Sequence, residues 1–484
     1  MPPFRLHSKY NPHKEAKQFA GAIEGNPAVI VITEPGESYL APVLKLQFPQ
    51  ARRIALRYTD TLFADSDNLW DAVWRPKNGS LSFFLLSHIP DEKLPSTRFL
   101  SWKAADSFFP DVSVTVWKDI RYAIDILTSV MHTRSFFGNK WLKNTVYNFI
   151  HLTHPAALHF GTKPFILAGA GPSLQSLHAS QAAPYSVIAV GSAYAALAAR
   201  SITIDLCVSA DAGYWALRHF DGIPVDIPVA FPLEAAVPAP ILTHNPCIPL
   251  SYSSPLETAL FTAAGFSPIF AHENGTVTGT ACELLLTHTQ QSVILAGVDL
   301  AASKGFSHAQ PHSSAAQILN AADKVHPLAG ALAVRNFQTQ SLETYRQWFL
   351  QLPSEASQRL LRAGTDGAPL PNIKTIKLAA GTPYISKNDI RLSVRPYPAA
   401  SAAERARYVR SFLQTLCERI TTLIETEPIR LTDDTASLEK QLCALCGYTD
   451  YCNTIKNIAD RKAGARLKAQ VDRILSTLIK KVEP

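Results

Sequence analysis

Four short apolar runs, each ending near a glycine or an aspartate, constrain the fold of this chain more than any other feature. They are "PFILAGA" from Pro164, "SVIAVG" from Ser186, "DLCVSAD" from Asp205 and "SVILAGVDL" from Ser292. Runs this short and this continuously apolar read as strands buried on both faces. Between them lie "SLQSLHASQ", "SAYAALAAR" and "GTACELLLTHT", which read as helices. Strands alternating with helices make an α/β fold with a mainly parallel sheet, because only crossover helices return the chain for parallel pairing. Residues 26–63 repeat the arrangement on a smaller scale. "AVIVIT" and "RRIALRY" read as strands, and Tyr39, Leu40, Val43, Leu44 and Leu46 between them have helical spacing. This βαβ unit lacks a full GxGxxG, so it reads as Rossmann-like in structure rather than as a nucleotide site.

The 484 residues are too many for one core and call for several domains. We expect an N-terminal α/β domain over 1–112, a helical connector over 113–160, a central α/β domain over 161–400 and a helical domain over 401–484. Trp117, Ile120, Ile124 and Leu127 supply the helical period of the connector, and "SAAERARYVRSFLQTLCERITTLIETE" that of the C-terminal part. The stretch 223–255 carries prolines at 224, 228, 232, 238, 240, 246, 249 and 255. That density predicts a long extended excursion over the surface.

Apolar residues at 47% and charged residues at 18% describe a globular chain. No run of about 18 apolar residues predicts membrane insertion. The start, "MPPFRLHSKYNPHKEAKQF", has no apolar core of a secretory signal, so the expected location is cytoplasmic. The formal charge of +7 is not gathered into a basic patch with interleaved aromatics, which argues against nucleic acid and suits an anionic small ligand. Seven cysteines in such a chain predict thiols rather than disulfides. Cys443 and Cys446 form a CxxC without a nearby histidine, and packed thiols on a helix are the favoured reading over a zinc site. His151, His154 and His159 likewise read as packing and capping residues rather than metal ligands.

The chemistry concentrates at the strand ends. In "FILAGAGPSL", Gly169 and Gly171 remove side chains where a ligand approaches. Pro172 suits the first turn of a helix, and Ser173 adds a hydroxyl among free N–H groups. The expectation is a helix N-terminus acting as a phosphate cradle. Asp211, Asp299 and the pair Gly191–Ser192 end other strands of the same sheet, where ligands of open α/β folds bind. An aspartate there accepts ribose hydroxyls, or caps the next helix.

Taken in order, "LAGAGPSLQSL", "CVSADAGY", "NGTVTGTACELLL", "ILAGVDLAASKGFSHA" and "GTDGAPLPNI" resemble the motility accessory factor family of flagellin glycosyltransferases. The central domain of that family is also similar to archaeal-type 6-hydroxymethylpterin diphosphokinase, and it shares the GxGPSL element with bacterial sialyltransferases. The resemblance implies a Rossmann-like central domain and transfer of a nonulosonic, sialic-acid-like sugar from a CMP-activated donor to Ser/Thr hydroxyls of flagellin. It implies a donor site of Gly169, Gly171, Pro172, Ser173, Ser192, Asp211, Asn274, Gly275 and Thr276. Thr365, Asp366 and Gly367, after Gly364, stand where the family tends to show "TEGG". Asp299, Ser307 and His308 match its "DLA…THA" stretch, with Asp299 and His308 as catalytic candidates. Ala170 stands where the sialyltransferases carry asparagine.

Histidine suits a base that deprotonates the acceptor hydroxyl near neutral pH, which is the role assigned to His308. The glycine turn would steady the leaving phosphate without an obligatory metal. A diphosphokinase would instead need Mg²⁺, held by Asp211 and Asp299. A non-catalytic flagellar assembly scaffold on the same fold is the reading from a different class.

Overall fold

The computed structural model describes residues 5–301, 308–325, 327–331, 340–364, 367–378, 390–432, 437–457 and 460–482. The chain divides into two compact units, 1–139 with 416–474 and 140–415 with 475–484.

The first unit holds four parallel strands, β1 (Val29–Thr33), β2 (Arg52–Leu56), β3 (Ala72–Trp74) and β4 (Thr97–Ser101), in the order β3-β2-β1-β4. The expected βαβ unit is β1, the helix Leu40–Gln47 and β2. The strand order reverses between β1 and β4, where a ligand crevice would open in such a sheet. Beside it, at the ends of β1 and β2, the chain packs its own charges. Buried Arg57 pairs with buried Glu34 at 3.0 Å and with Asp67 at 2.9 Å, and Arg75 reaches the same Asp67 at 2.8 Å. Arg57 also donates to the Gly36 carbonyl and to the Ser38 and Ser66 hydroxyls. The helices Ala402–Thr426 and Arg461–Lys481 follow the amphipathic pattern read at the C-terminus, and the helix Leu438–Lys456, capped by Ser437, lies between them in sequence. Cys443, Cys446 and Cys452 are buried, and burial pushes the thiols of Cys443 and Cys452 up to about 12.

The second unit is built on a nine-stranded sheet. Its strands are β6 (Phe165–Ala168), β7 (Ser186–Val190), β8 (Leu206–Val208), β9 (Val229–Pro232), β10 (Cys247–Ser251), β11 (Ile269–Phe270), β12 (Val293–Ala296), β13 (Leu360–Ala363) and β14 (Lys374–Ile376). The order is β11-β10-β9-β8-β7-β6-β12-β13-β14, and every pairing is parallel. β6 through β10 and β12 are buried along their whole length, as strands covered on both faces must be. A separate antiparallel pair joins β5 (Ala156–His159) to β15 (Ser393–Pro396). The helix read over 113–160 runs from Pro110 to His151, and Pro155 precedes β5 rather than a further turn of helix.

The proline-rich stretch 223–255 is a correction. It is not a surface excursion but contributes β9 and β10 to the core, with the short helix Ala239–His244 between them. Proline lacks the donor that a strand needs but keeps its carbonyl. Pro228 and Pro246 use theirs, accepting from the Cys207 and Val229 amides at 2.9 Å each. Pro249 sits within β10, where β11 begins to pair only at Leu250, so no ladder bond is lost on that side. Asn148, from the long helix, donates to the Leu233 and Ala235 carbonyls at 2.7 Å and pins the chain leaving β9.

Candidate functional site

The sheet order reverses between β6 and β12, and the residues singled out in the sequence gather at the carboxyl ends of these two strands. Gly169 and Gly171 follow β6, and Gly297 and Asp299 follow β12. The two ends are in direct contact, since the amides of Gly169 and Gly171 donate to the carbonyls of Ala296 and Gly297 at 2.8 and 2.7 Å. The glycine pair is explained by this closeness. A Cβ on Gly169 would lie 2.7 Å from the Gly297 carbonyl oxygen, and one on Gly171 would lie 2.6 Å from it. Gly297 has a φ of +66°, and a Cβ there would overlap the Gly169 carbonyl in return.

The phosphate cradle expected here takes a different form. Pro172–Ser176 is a five-residue 3-10 turn rather than the start of an α-helix. Its amides are already engaged. Ser173 donates from its backbone to Asp299 Oδ2 at 2.6 Å and from its hydroxyl to Oδ1, while the Leu174 amide returns to the Gly171 carbonyl. The chain's own carboxylate thus occupies the turn. Asp299 is in turn fixed through its backbone, whose carbonyl accepts from the Ala368 amide at 2.7 Å. Gly367, with a φ of +91°, packs so closely on the Asp299 backbone that no side chain fits. Buried Arg362 on β13 brackets the same point, donating to the Ala368 carbonyl at 2.6 Å and the Val298 carbonyl at 3.2 Å. Nothing in the sequence marked Arg362, because a lone arginine in a strand carries no motif.

The segment that carries His308 reaches this crevice. The next residue, Ala309, donates its amide to the Ala170 carbonyl at 2.8 Å, so the histidine segment is bonded to the glycine turn itself. Arg200 strengthens the link by donating to the carbonyls of Gln310 and Gln175. Two further histidines join it. His308 stacks on His312 with ring centroids 4.1 Å apart and planes 3° from parallel, and His219 lies 5.5 Å from His312. Burial lowers all three imidazoles, His312 to about 3, so they stand neutral at pH 7. His312 lies only four residues beyond His308, so its nearness was legible from the sequence. His219 was not, because only the fold brings it there.

Asp211 follows β8 and is exposed, with one carboxylate oxygen accepting from the Gly213 amide at 2.7 Å. Its charge opposes the lowering of His219 and, after burial, raises the phenol of Tyr345. Gly191 faces the His219 side chain, and Ser192 follows it at the end of β7. Thr276 caps the helix Val277–His288, accepting from the Gly279 amide at 2.8 Å. Asn274 Oδ1 accepts from the Thr276 amide at 3.3 Å and lies over Gly279, while Gly275 faces the Tyr345 ring. A continuous rim therefore runs from Asn274 through Tyr345, Asp211 and the histidines to the glycine turn and Asp299. Ser307, Thr365 and Asp366 lie outside the described residues.

Asp211 and Asp299 leave the sheet from strands that are not neighbours. Their strands, β8 and β12, stand three spacings apart, about 14 Å. Both oxygens of Asp299 are engaged by Ser173. Among the described residues no group of three or more His, Cys, Asp or Glu is arranged around a common point for a metal. No helix among them is long and apolar enough to cross a membrane.

Comparison with known proteins agrees with this architecture. Residues 139–305 match the family described as 6-hydroxymethylpterin diphosphokinase MptE-like, which covers β5 through β12 and the glycine turn. An uncharacterized protein of Treponema pallidum (strain Nichols) is 33% identical over 378 residues, spanning 78% of this chain and 84% of that protein. In structure the chain is similar to the Maf glycosyltransferase of Magnetospirillum magneticum AMB-1, with a TM-score of 0.53 at 11% identity, covering 100% of this chain and 89% of that one. The chain therefore belongs to one family with the Treponema pallidum protein, its central part is similar to the MptE-like family, and its fold is similar to that of the Maf glycosyltransferase.

Proposed function

We propose that the protein is a glycosyltransferase that moves a nonulosonic sugar from a CMP-activated donor to Ser/Thr hydroxyls of flagellin. The observation that supports this reading is the backbone bond from Ala309 to Ala170, which ties the segment that carries His308 to the glycine turn at the switch point. In the reaction the acceptor oxygen attacks the anomeric carbon, the bond from that carbon to the CMP phosphate breaks, and the hydroxyl proton passes to His308. An imidazole that is neutral before the step is competent to take that proton. Asp299 holds Ser173 and so shapes the turn, and the Arg362 guanidinium behind it supplies positive potential to the departing phosphate. Gly169, Gly171, Pro172, Ser173, Ser192, Asp211, Asn274, Gly275, Thr276 and Gly367 line the donor side. On this reading the chemistry has no obligatory metal, and the reaction takes place in the cytoplasm, where flagellin is made.

One observation favours a second reading, pyrophosphate transfer from Mg-ATP, namely the family description that residues 139–305 match. The separation of Asp211 from Asp299 weighs against it, because the Mg²⁺ would lack its paired carboxylates. Calorimetric titration with CMP and, separately, with Mg-ATP distinguishes the two. Incubation with a CMP-nonulosonic acid and flagellin should then add the mass of one sugar per modified serine or threonine. His308→Gln should slow that transfer by about 10²- to 10⁴-fold with CMP binding retained. Binding of Mg-ATP alone would overturn the proposal, and so would binding of neither nucleotide.

A further inference from the structure

The segment after β8 carries an exposed feature that the glycine turn and the histidines leave unused. Tyr214 is 64% exposed and Trp215 is 58% exposed. The chain has seven tryptophans, and Trp215 is the only one that is exposed. The two rings stand edge to face, 5.6 Å apart and 73° from parallel, so they form a corner open to solvent. They open the 3-10 segment Tyr214–Phe220, whose cap is Gly213, and Gly213 donates its amide to Asp211. The far end of that segment is anchored, with Phe220 and Ala216 buried and His219 packed on Gly191 at the end of β7. An aromatic corner is thus fixed beside an exposed carboxylate on the rim of the crevice.

We infer that this corner is the nucleobase platform of the donor site, with Trp215 stacking on the base, Tyr214 edge-on to it and Asp211 accepting from the ribose hydroxyls. The inference deepens the proposed function and rests on it. Three features select a nucleoside over other occupants. A flat base matches a single exposed indole face, as in sequence-tolerant stacking on aromatic side chains. A carboxylate at a strand end suits the paired hydroxyls of a ribose. The platform follows β8, two strand spacings from the glycine turn on β6, and that is about 10 Å. A nucleoside monophosphate spans a distance of that order from base to phosphate, so one ligand reaches both places. The acidic sugar of the donor is excluded from the corner, since its own carboxylate would face Asp211.

The test is tryptophan fluorescence on the full chain, with CMP and with Mg-ATP as probes. Bound nucleotide should protect Trp215 from acrylamide quenching, and Trp215→Ala should weaken binding by about 5- to 150-fold. Trp215→Phe, which keeps a stacking face, should restore most of it. Asp211→Asn should weaken CMP more than it weakens the 2′,3′-dideoxy analogue. Both positions are exposed, so unchanged melting of the variants separates binding from folding. If wild type binds CMP and Trp215→Ala binds it equally well, this inference is wrong while the proposed function stands. If wild type binds neither probe, both fall. If Trp215→Ala binds CMP normally but no longer engages flagellin, the corner belongs to the acceptor and the inference is again overturned.

Discussion

Replacing Gly171 by alanine tests why the glycine is there. Its backbone, with φ of −64° and ψ of 156°, is one that any residue adopts, so alanine meets no dihedral strain. The cost is contact alone. The new methyl would lie 2.6 Å from the Gly297 oxygen, 2.7 Å from Asp299 Oδ2 and 2.8 Å from its Cγ. Ordinary contact begins at 3.4 Å, so each neighbour must retreat by most of an ångström. Neither retreats freely. The Gly297 oxygen accepts the Gly171 amide and belongs to the chain leaving β12, and the Asp299 carboxylate is held by both donors of Ser173. Overpacking of this kind costs about 1–3 kcal/mol. Alanine regains about 0.4–1 kcal/mol by restricting the unfolded chain. The net loss, about 1.3 kcal/mol at the midpoints, corresponds to about 3–5 °C in a domain of this size. Gly21→Ala is the control of opposite sign, since nothing lies within 4 Å of that position and only the entropic gain remains. Calorimetry of both variants without ligand decides the matter. If Gly171→Ala melts within about 1 °C of wild type, the strand ends are not packed as described, and the glycine would have to be explained by a ligand's approach instead.

Three further outcomes follow from the same geometry. Arg57→Ala strands the buried Glu34 carboxylate, which burial already raises, and should cost about 3–5 kcal/mol in urea unfolding; adding Glu34→Gln should recover part of it, and an additive double mutant would deny the pair. The three lowered histidines take up protons on unfolding before they do so folded, so their contribution to stability is complete above about pH 6.5 and is lost as pH falls toward the folded value of about 3 for His312. His312→Gln should therefore flatten the decline in melting temperature between pH 7 and pH 5, and an unchanged slope would count against the cluster. Asp299→Asn removes the charge that faces any anion at Ser173 while keeping the shape. It should lower stability by about 1–3 kcal/mol and tighten CMP binding; weaker CMP binding would give Asp299 a direct hold on the donor.

The strands and the polar residues at their ends were legible because both are written locally. β6, β7, β8 and β12 stand where continuous apolar runs placed them, and the first βαβ unit was read from its period. The proline-rich stretch was misread for a physical reason. Proline density reports missing donors, but β10 lies beside a strand too short to ask for the donor at Pro249, and the carbonyls of Pro228 and Pro246 still serve the ladder. The glycine turn was placed correctly and explained differently. A lone sequence shows free amides after a glycine pair, and only the fold shows that Asp299, 126 residues on, fills them.

By itself, then, the sequence determined what repeats at short range: an α/β chain, its parallel strands, its helical C-terminus and the polar residues at the strand ends. The tertiary structure decided which of those ends meet. Strand order sets β6 against β12, separates Asp211 from Asp299, and draws His219 to His308 and His312. That order is fixed by burying both faces of every central strand at once, a condition on the whole sheet that no window of the sequence contains.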